Sequence, residues 1–516
     1  MSPLQPRCIA CLLSLLLLGP TVVALAAGSM PPFTSSYTAD HLPLAKEAMT
    51  YFDASSDPFH AVQTSVEMLN DAGFVQLADA EPYQGNLQPG GKYYFTRNKS
   101  TLVAFTVGNK YVSGNGFCII GGHTDSPNLR VKPRSKRTAS GCLQIGVECY
   151  GGGLWHTWFD RDLGISGRVL VRNSDTDKIE QKLVKIDRAL LRISNLAIHL
   201  QSAEERKGFT FNKEDHLSPI LALEAKKALT GKGDKPAKSE YTKDGWSEYQ
   251  EPALLQLLAT ELDVTLESIV DFELSLFDVQ KAALGGVFSE FVHSARLDNL
   301  ASCFLAVKAL VDHVNEGLLV NDEDISMVVL YDHEEVGSSS AVGAGSPIMG
   351  EAVRRISFAL DISGTTNADV YDSCVRKSFV LSSDQAHAVH PNYASKHEKN
   401  HQPKMNQGMV IKRNSNQRYA TTPVTGVLIR EIARQAGLPP VQEFIVRQDC
   451  GCGSTIGPII SSATGIRAID MVRICGVHSK QLSSTLSHTN KCSFSIFRDV
   501  PNCPCIPLEK PWVFAT

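Results

Sequence analysis

Residues 117–127 read Phe-Cys-Ile-Ile-Gly-Gly-His-Thr-Asp-Ser-Pro, so an apolar run passes directly into a polar loop. The same transition follows residues 325–331, which precede Asp-His-Glu-Glu, and residues 378–382, which lie just before Asp384. Short apolar runs bounded by glycine and polar residues are typical of buried strands. Because open α/β sheets place their ligand sites at the carboxyl ends of parallel strands, these transitions predict an α/β fold with a site at one sheet edge.

The chain of 516 residues is too long for one ordinary core, which favours two globular units with extensions. Strand and helix patterns alternate over residues 39–127 and again over residues 291–470, and they predict one discontinuous α/β domain. Residues 128–290 instead contain short β-rich runs followed by lysine-rich sequence. This change predicts an inserted second domain that is rich in β-structure.

Composition restricts the possible partners. The 50 basic residues nearly balance the 54 acidic residues, and the net charge is -4. Such a balance disfavours a nucleic-acid groove and an anionic membrane surface. Beyond the leader described below, no apolar run approaches the roughly 20 residues that a membrane span needs. We therefore expect no nucleic-acid partner and no membrane association of the mature form.

Residues 1–27 have the order of a signal-like leader. Arg7 precedes an apolar run at 12–18, Gly-Pro at 19–20 breaks it, and Ala-Leu-Ala follows at 24–26. This order favours a cleaved leader over an anchor helix, and it predicts delivery to the secretory pathway, a vacuole or an organelle. The 13 cysteines disfavour a secreted protein, which would more often pair them. Several lie in apolar runs, as Cys118 does, and resemble buried free thiols. These two patterns leave the compartment open.

Side chains that bind divalent metals, or that orient such ligands, form a small set. The set is His123, Asp125, Asp298, Glu334, Glu335 and Asp384. Singly, each is more often a loop or cap residue. Together they match a site for two divalent ions about 3.5–4 Å apart, which requires a bridging carboxylate, further His or carboxylate ligands and a base.

The adjacent pair Glu334 and Glu335 offers a ligand next to a base. One carboxylate can bind metal while its neighbour takes a proton from the attacking water. The alternative, a solvated acidic turn, is disfavoured because the pair closely follows the apolar run at 325–331. Asp125, two residues after His123, can orient the imidazole so that its other nitrogen faces the metal.

Longer motifs run in order from about Asp40 to Asp470. They are Gly-His-Thr-Asp-Ser-Pro at 122–127, Tyr-Gly-Gly-Gly at 150–153, Trp-Phe-Asp-Arg-Asp-Leu at 158–163, Arg-Leu-Asp-Asn at 296–299, Asp-His-Glu-Glu-Val-Gly-Ser at 332–338, His-Ala-Val-His-Pro-Asn-Tyr at 387–393, Asn-Gln-Arg-Tyr-Ala at 416–420 and Cys-Gly-Ser-Thr-Ile-Gly-Pro at 452–458. In these motifs the chain resembles the aspartyl aminopeptidase family of zinc metallopeptidases.

The resemblance implies a zinc-peptidase mixed-sheet domain with helices on both faces and an inserted β-rich dimerisation domain. It also implies a homo-oligomer, a closed tetrahedral dodecamer, that removes aspartate or glutamate from the acidic N-terminus of peptides. Two Zn2+ ions are expected. His123 and Asp384 would bind one zinc, Glu335 the other, Asp298 would bridge them, and Glu334 would be the general base. The family resemblance also allows a cytoplasmic location.

Four further residues receive roles from the resemblance alone. His199 would reach the active site of a neighbouring subunit, and His387, Lys412 and Tyr419 would contact substrate. A fixed cation such as Lys412 suits an acidic side chain. Without the resemblance, Lys412 would be interpreted as a solvated strand-edge lysine and His199 as a buried core histidine.

The tail at 471–516 departs from the family. Members complete the second zinc site with a His in a Met-His-Ser-x-Arg-Glu run, whereas here Asp470 is followed by Met-Val-Arg-Ile-Cys-Gly-Val-His-Ser-Lys. His478 comes one residue early, and such a slip turns a side chain to the opposite face of a strand. We therefore expect an incomplete second site. The alternative function is a catalytically impaired variant that retains fold and assembly.

Overall fold

The computed structural model describes residues 36–225, 245–287, 289, 291–361, 368–405, 407–475 and 481–483. The leader at 1–27, His478 and most of the divergent tail lie outside these residues. Within the described part of the chain, no helix is both long and apolar enough to cross a membrane.

The larger unit is a mixed sheet with the strand order β1-β2-β3-β13-β4-β14-β17-β18-β12-β11. In addition, β15 pairs with β17, and β16 pairs with β15. Its strands are β1 (Val75–Gln76), β2 (Lys92–Arg97), β3 (Thr101–Val107), β4 (Phe117–His123), β11 (Ala283–Gly285), β12 (Phe291–His293), β13 (Ile325–Tyr331), β14 (Phe379–His387), β15 (Val410–Lys412), β16 (Gln442–Phe444), β17 (Arg467–Cys475) and β18 (Gln481–Ser483). The central strands β13, β4, β14 and β17 are parallel, as the sequence predicts. Strands β3, β4 and β13 are buried along their whole length, which explains their continuous apolar runs.

Helices cover both faces of this sheet. They are α1 (Ser36–Ala54), α2 (Pro58–Asp71), α6 (Leu297–Asn315), α7 (Ile348–Ala359), α8 (Ala368–Lys377), α9 (Pro423–Gln435) and α10 (Ile456–Thr464). Alternate residues of a strand point to opposite faces, so Val328 and Leu330 of β13 pack with α1, α2, α6 and α9. Met327 and Val329 pack with α7, α8 and α10. The predicted mixed-sheet domain is thus confirmed.

The second unit is a closed β-barrel with the strand order β10-β5-β6-β9-β8-β7. Its elements are β5 (Asn128–Ala139), β6 (Cys142–Tyr150), β7 (Asp162–Arg172), β8 (Ile179–Arg192), α3 (Ala203–Lys207), α4 (Lys213–His216), β9 (Ile220–Leu223), α5 (Pro252–Leu262) and β10 (Ile269–Asp278). A separate apolar core fills it, with Leu163, Ile165 and Leu276 among its residues. The barrel strands run from Asn128 to Asp278, and β11, which follows them, pairs in the larger sheet.

Loop geometry sets where the candidate residues lie. His123 is the last residue of β4, and Glu334 begins a 3-10 turn (Glu334–Val336) just after β13. The expectation that Asp384 follows its strand is wrong, because β14 continues to His387. The reason is that β17 runs beside it in parallel register as far as Cys475, which extends the hydrogen-bonded ladder past Ser382.

Candidate metal centre

The carboxyl-terminal parts of β4, β13 and β14 and the start of α6 bring one imidazole against three carboxylates. His123 Nε2 lies 3.4 Å from Asp298 Oδ1, 3.7 Å from Asp384 Oδ1 and 3.9 Å from Glu334 Oε2. Only 2% of the His123 side chain is exposed. Three of the predicted carboxylates, those of Asp298, Asp384 and Glu334, therefore lie around one buried imidazole nitrogen, although they come from distant parts of the sequence.

Asp298 enters the site from the start of α6. The preceding turn places Arg296 in the left-handed region, at φ 58°, and Ser126 Oγ donates a 2.7 Å hydrogen bond to the backbone oxygen of Asp298. Asp298 Oδ1 is buried, and it has no hydrogen-bond partner within the described residues. Its contact with His123 Nε2 is 3.4 Å long, so this buried acceptor is only weakly satisfied.

A divalent cation fits this arrangement. Donor atoms of His123, Asp298 and Asp384 all lie within 4.8 Å of one another. Imidazole and carboxylate are ligands that zinc prefers, and a cation beside Asp298 Oδ1 would satisfy that buried oxygen. The donor set and the weakly satisfied acceptor therefore both support a metal site at this point.

Asp125 orients both the imidazole and the glutamate turn. His123 Nδ1 lies 3.0 Å from the backbone oxygen of Asp125 and 3.3 Å from its Oδ1, so that Nε2 faces the other carboxylates. The backbone N–H groups of Glu334 and Glu335 donate to Oδ1 and Oδ2 of Asp125, at 3.1 and 3.0 Å. One buried carboxylate thus holds two separate parts of the site.

The crowded carboxylates change one another's protonation. Burial, reinforced by Asp384, raises the pKa of Glu334 to about 7, and burial together with the charge of Asp298 raises the pKa of Glu335 to about 8. Burial disfavours a charged imidazole, yet the surrounding carboxylates raise the pKa of His123. The site therefore favours added positive charge.

Lys412 is not the solvated strand-edge residue that its sequence context suggests. It is the last residue of β15 and is 5% exposed, and its Nζ lies 2.9 Å from Asp384 Oδ2. Burial opposes charge on both partners, but their attraction raises the pKa of Lys412 and lowers that of Asp384. A fixed cation therefore lies directly beside a candidate metal ligand.

Tyr419 and His387 lie near Lys412. The Tyr419 ring centroid is 5.3 Å from Lys412 Nζ, and Tyr419 is 6% exposed. His387 ends β14 and packs edge-on against Phe444, with ring centroids 5.0 Å apart. The predicted substrate-contacting residues are thus grouped around the carboxyl end of β14.

His199 is separate from this group. It lies in a 3-10 turn (Ile198–Leu200) on the exposed side of the barrel segment, and not in a buried apolar strand. Within the described residues, no hydrogen bond or ion pair joins it to the metal centre of its own chain. The alternative interpretation of His199 as a core histidine is therefore wrong, because its neighbours Leu196, Ile198 and Leu200 are also exposed.

Sequence reasoning missed Tyr150, which donates a 2.7 Å hydrogen bond to Asp125 Oδ2. The Tyr-Gly-Gly-Gly motif at 150–153 contains this residue, but nothing in the motif indicates its partner. The signal that could have found it is local: a tyrosine followed by glycines at the end of a β-run allows close approach of two chain segments.

The sequence of this chain is similar to those of known metallopeptidases. Residues 51–494 match the family described as Aminopeptidase I zinc metalloprotease (M18). The chain is 47% identical to the aspartyl aminopeptidase of Aspergillus oryzae over 448 residues, which are 83% of this chain and 89% of that relative.

Solved structures share the fold. A chain of the Ape4 and Nbr1 complex matches with a TM-score of 0.82 and 41% identity, covering 90% of this chain and 87% of that chain. The dodecamer of mApe1 from Saccharomyces cerevisiae matches with a TM-score of 0.77 and 28% identity, covering 90% of this chain and 100% of that chain. These matches confirm the predicted fold class and the family resemblance of the motifs.

Proposed function

The chain belongs to the Aminopeptidase I zinc metalloprotease (M18) family, and we propose that it removes aspartate or glutamate from peptide N-termini at a co-catalytic two-zinc site. As a member of this family it is a metal-dependent aminopeptidase. The observation that carries the proposal is the buried His123 Nε2 within 4 Å of the carboxylates of Asp298, Asp384 and Glu334. The names of relatives, aspartyl aminopeptidase in Aspergillus oryzae among them, support the acidic specificity.

We assign the ligands as follows. His123 and Asp384 would hold one zinc, Glu335 would hold the second, and Asp298 would be shared. The proximity of the donor atoms of His123, Asp298 and Asp384 supports this assignment. Burial, and after it the charge of Asp298, raises the pKa of Glu335. When bound, zinc acts as a Lewis acid on the scissile carbonyl and on the attacking water.

Glu334 is suited to move the proton. Its side chain is 18% exposed, its carboxylate faces His123 Nε2, and its backbone N–H is held by Asp125. A base whose pKa is raised towards neutrality accepts a proton from water and returns it to the leaving amine efficiently. In this mechanism Glu334 transfers the proton, while Asp125 holds the turn in position.

Lys412 would recognise the acidic side chain. An ammonium group has three N–H donors, and within the described residues one of them is directed to Asp384 Oδ2. The remaining N–H groups of Lys412 can donate to a substrate carboxylate, and Tyr419 and His387 lie near Lys412. Because Lys412 also pairs with a candidate metal ligand, its removal would affect specificity and zinc binding together.

Lys412→Met is expected to reduce cleavage of an Asp-peptide far more than that of a Leu-peptide. An unpaired, partly desolvated carboxylate costs roughly 2–5 kcal/mol, which is a loss of about 30-fold to several thousandfold in kcat/KM. The measurement is kcat/KM for both peptides, with zinc content determined for each preparation. Arg413→Met is the matched control, because Arg413 is directed to Glu443, with Nε 3.4 Å from Oε2. Equal losses on the two peptides would limit Lys412 to holding Asp384.

We further propose that the chain forms a homo-oligomer, a dodecamer like that of mApe1, with the barrel segment at the subunit contact. Leu196, Ile198 and Leu200 are 50%, 60% and 72% exposed around His199. Such a run of exposed apolar residues is typical of a protein interface. A histidine within it can reach the site of a neighbouring subunit.

His199→Ala should be inactive alone but should regain activity when mixed with Glu334→Gln. In a shared site, each variant supplies the group that its neighbour lacks, and random mixing restores about a quarter of the sites. The measurement is activity after subunit exchange, with co-assembly shown by differently tagged chains. His216→Ala, a change to another exposed histidine, should need no partner. No recovery despite co-assembly would refute the shared site.

The alternative function is a catalytically impaired subunit. The observation that favours it is the sequence after Asp470, where His478 stands one residue early. His478 lies outside the described residues. Under this alternative, the first site retains its ligands while the second is incomplete, so that the number of zinc ions per chain distinguishes the two functions.

A further inference from the structure

A tyrosine of the barrel contacts Asp125, the carboxylate that orients the candidate metal centre of the same chain. Tyr150 is the last residue of β6, and it pairs with Asn128 at the start of β5, directly after the loop that carries Asp125. Tyr150 is 8% exposed, and its hydroxyl donates to Asp125 Oδ2 at 2.7 Å. Asp125 itself is fully buried.

Both oxygens of Asp125 carry two contacts each. Oδ1 accepts from the backbone N–H of Glu334 at 3.1 Å and faces His123 Nδ1 at 3.3 Å. Oδ2 accepts from the backbone N–H of Glu335 at 3.0 Å and from Tyr150 Oη. A buried carboxylate held at both oxygens cannot rotate without losing bonds to the imidazole and to the glutamate turn together.

The ring of Tyr150 is itself fixed. The guanidinium of Arg130 lies 3.7 Å from the ring centroid, and Arg130 Nη1 donates to Glu273 of β10 at 2.8 Å. The next residue, Gly151, has φ +77°, and a Cβ there would lie 3.1 Å from Cβ of Glu335. The end of the barrel is therefore packed against the glutamate turn and leaves little room for movement.

We propose that Tyr150 is a positioning residue through which the inserted barrel holds Asp125, and through it both His123 and the Glu334–Glu335 turn. The inference rests on the proposed function, since it assigns Tyr150 to the same zinc site. Among the described residues, the hydroxyl of Tyr150 donates to Asp125, which is not one of the candidate ligands. Its effect passes through one carboxylate to two elements of the larger sheet.

Tyr150→Phe tests this role with little change in volume. Loss of a residue that directly orients a metal ligand typically lowers metal affinity or activity by about 10- to 100-fold, and because Tyr150 acts one hydrogen bond further out, we expect a loss of about tenfold. We expect zinc affinity, measured by chelator competition on the full chain, to fall by this factor. We also expect kcat to fall while KM stays nearly unchanged. Tyr331→Phe is the matched control, because the Tyr331 hydroxyl is buried and has no hydrogen-bond partner among the described residues.

A double-mutant cycle separates positioning from packing. In an Asp125→Asn background, Tyr150→Phe should cause little further loss of zinc affinity, since the carboxylate that transmits its effect is gone. Unchanged zinc affinity in Tyr150→Phe, or full additivity in the double variant, would overturn the proposal. Zinc affinity needs no substrate, so an unaltered chain that binds zinc but cleaves no acidic peptide would refute the proposed function and leave this test intact.

Discussion

Glu334→Gln should lower kcat by about 10²–10⁴-fold while zinc remains bound, because the amide cannot accept the proton of the attacking water. The structure supports this expectation in two ways. The Glu334 carboxylate lies 3.9 Å from His123 Nε2, and burial raises its pKa to about 7. Glutamine has nearly the same volume, and the backbone N–H that donates to Asp125 is unchanged.

Two further variants make the measurement specific. Glu351→Gln is the control. Glu351 lies on α7, its Oε2 is 2.9 Å from Arg97 Nη2, and it is not one of the candidate site residues. Glu335→Gln should instead lose zinc, since Glu335 is the proposed ligand of the second ion. If kcat of Glu334→Gln stayed within about tenfold of the unaltered chain at full zinc content, Glu334 would not be the base.

Removing zinc should destabilise the protein more at about pH 8 than at about pH 5.5, because metal ligands must be deprotonated to bind. In the metal-free site, burial raises the pKa of Glu334 to about 7 and that of Glu335 to about 8, from an ordinary value of 4.5. Rising pH therefore favours zinc binding in the loaded protein, whereas it lowers the stability of the metal-free protein.

The sign follows from proton binding. Between pH 4.5 and about 8, the folded metal-free protein binds more protons at these glutamates than the unfolded chain does. Its stability therefore falls as pH rises through this window, by up to about 1.4 kcal/mol per pH unit for each group. In the zinc-loaded protein the charge of the carboxylates is compensated, so the difference in stability between loaded and metal-free protein should widen with pH.

Thermal unfolding of zinc-loaded and chelated protein at the two pH values measures this difference. Two zinc ions per loaded chain would support the active aminopeptidase, and one would support the impaired variant. Glu334→Gln removes one titrating group and should reduce the pH dependence of the metal-free form. A difference in stability that is the same at both pH values would contradict the assignment of these glutamates to the metal centre.

Periodicity along the chain was sufficient to predict the buried central strands and the sheet edge that carries the candidate site. The continuous apolar runs of β3, β4 and β13 identify strands that are buried on both faces, and they need only neighbouring residues to be recognised. The polar residues that follow them identify the sheet edge where His123 and Glu334 meet. The change of pattern at residue 128 likewise coincides with the first strand of the barrel.

Contacts between distant segments could not be predicted in this way. Asp384 lies inside β14 because β17 extends beside it, and Lys412 is buried because it pairs with Asp384. Tyr150 reaches Asp125 because the barrel closes against the larger sheet. Each of these positions depends on contacts between segments that are far apart in the sequence, whereas secondary structure depends mainly on the pattern of neighbouring residues.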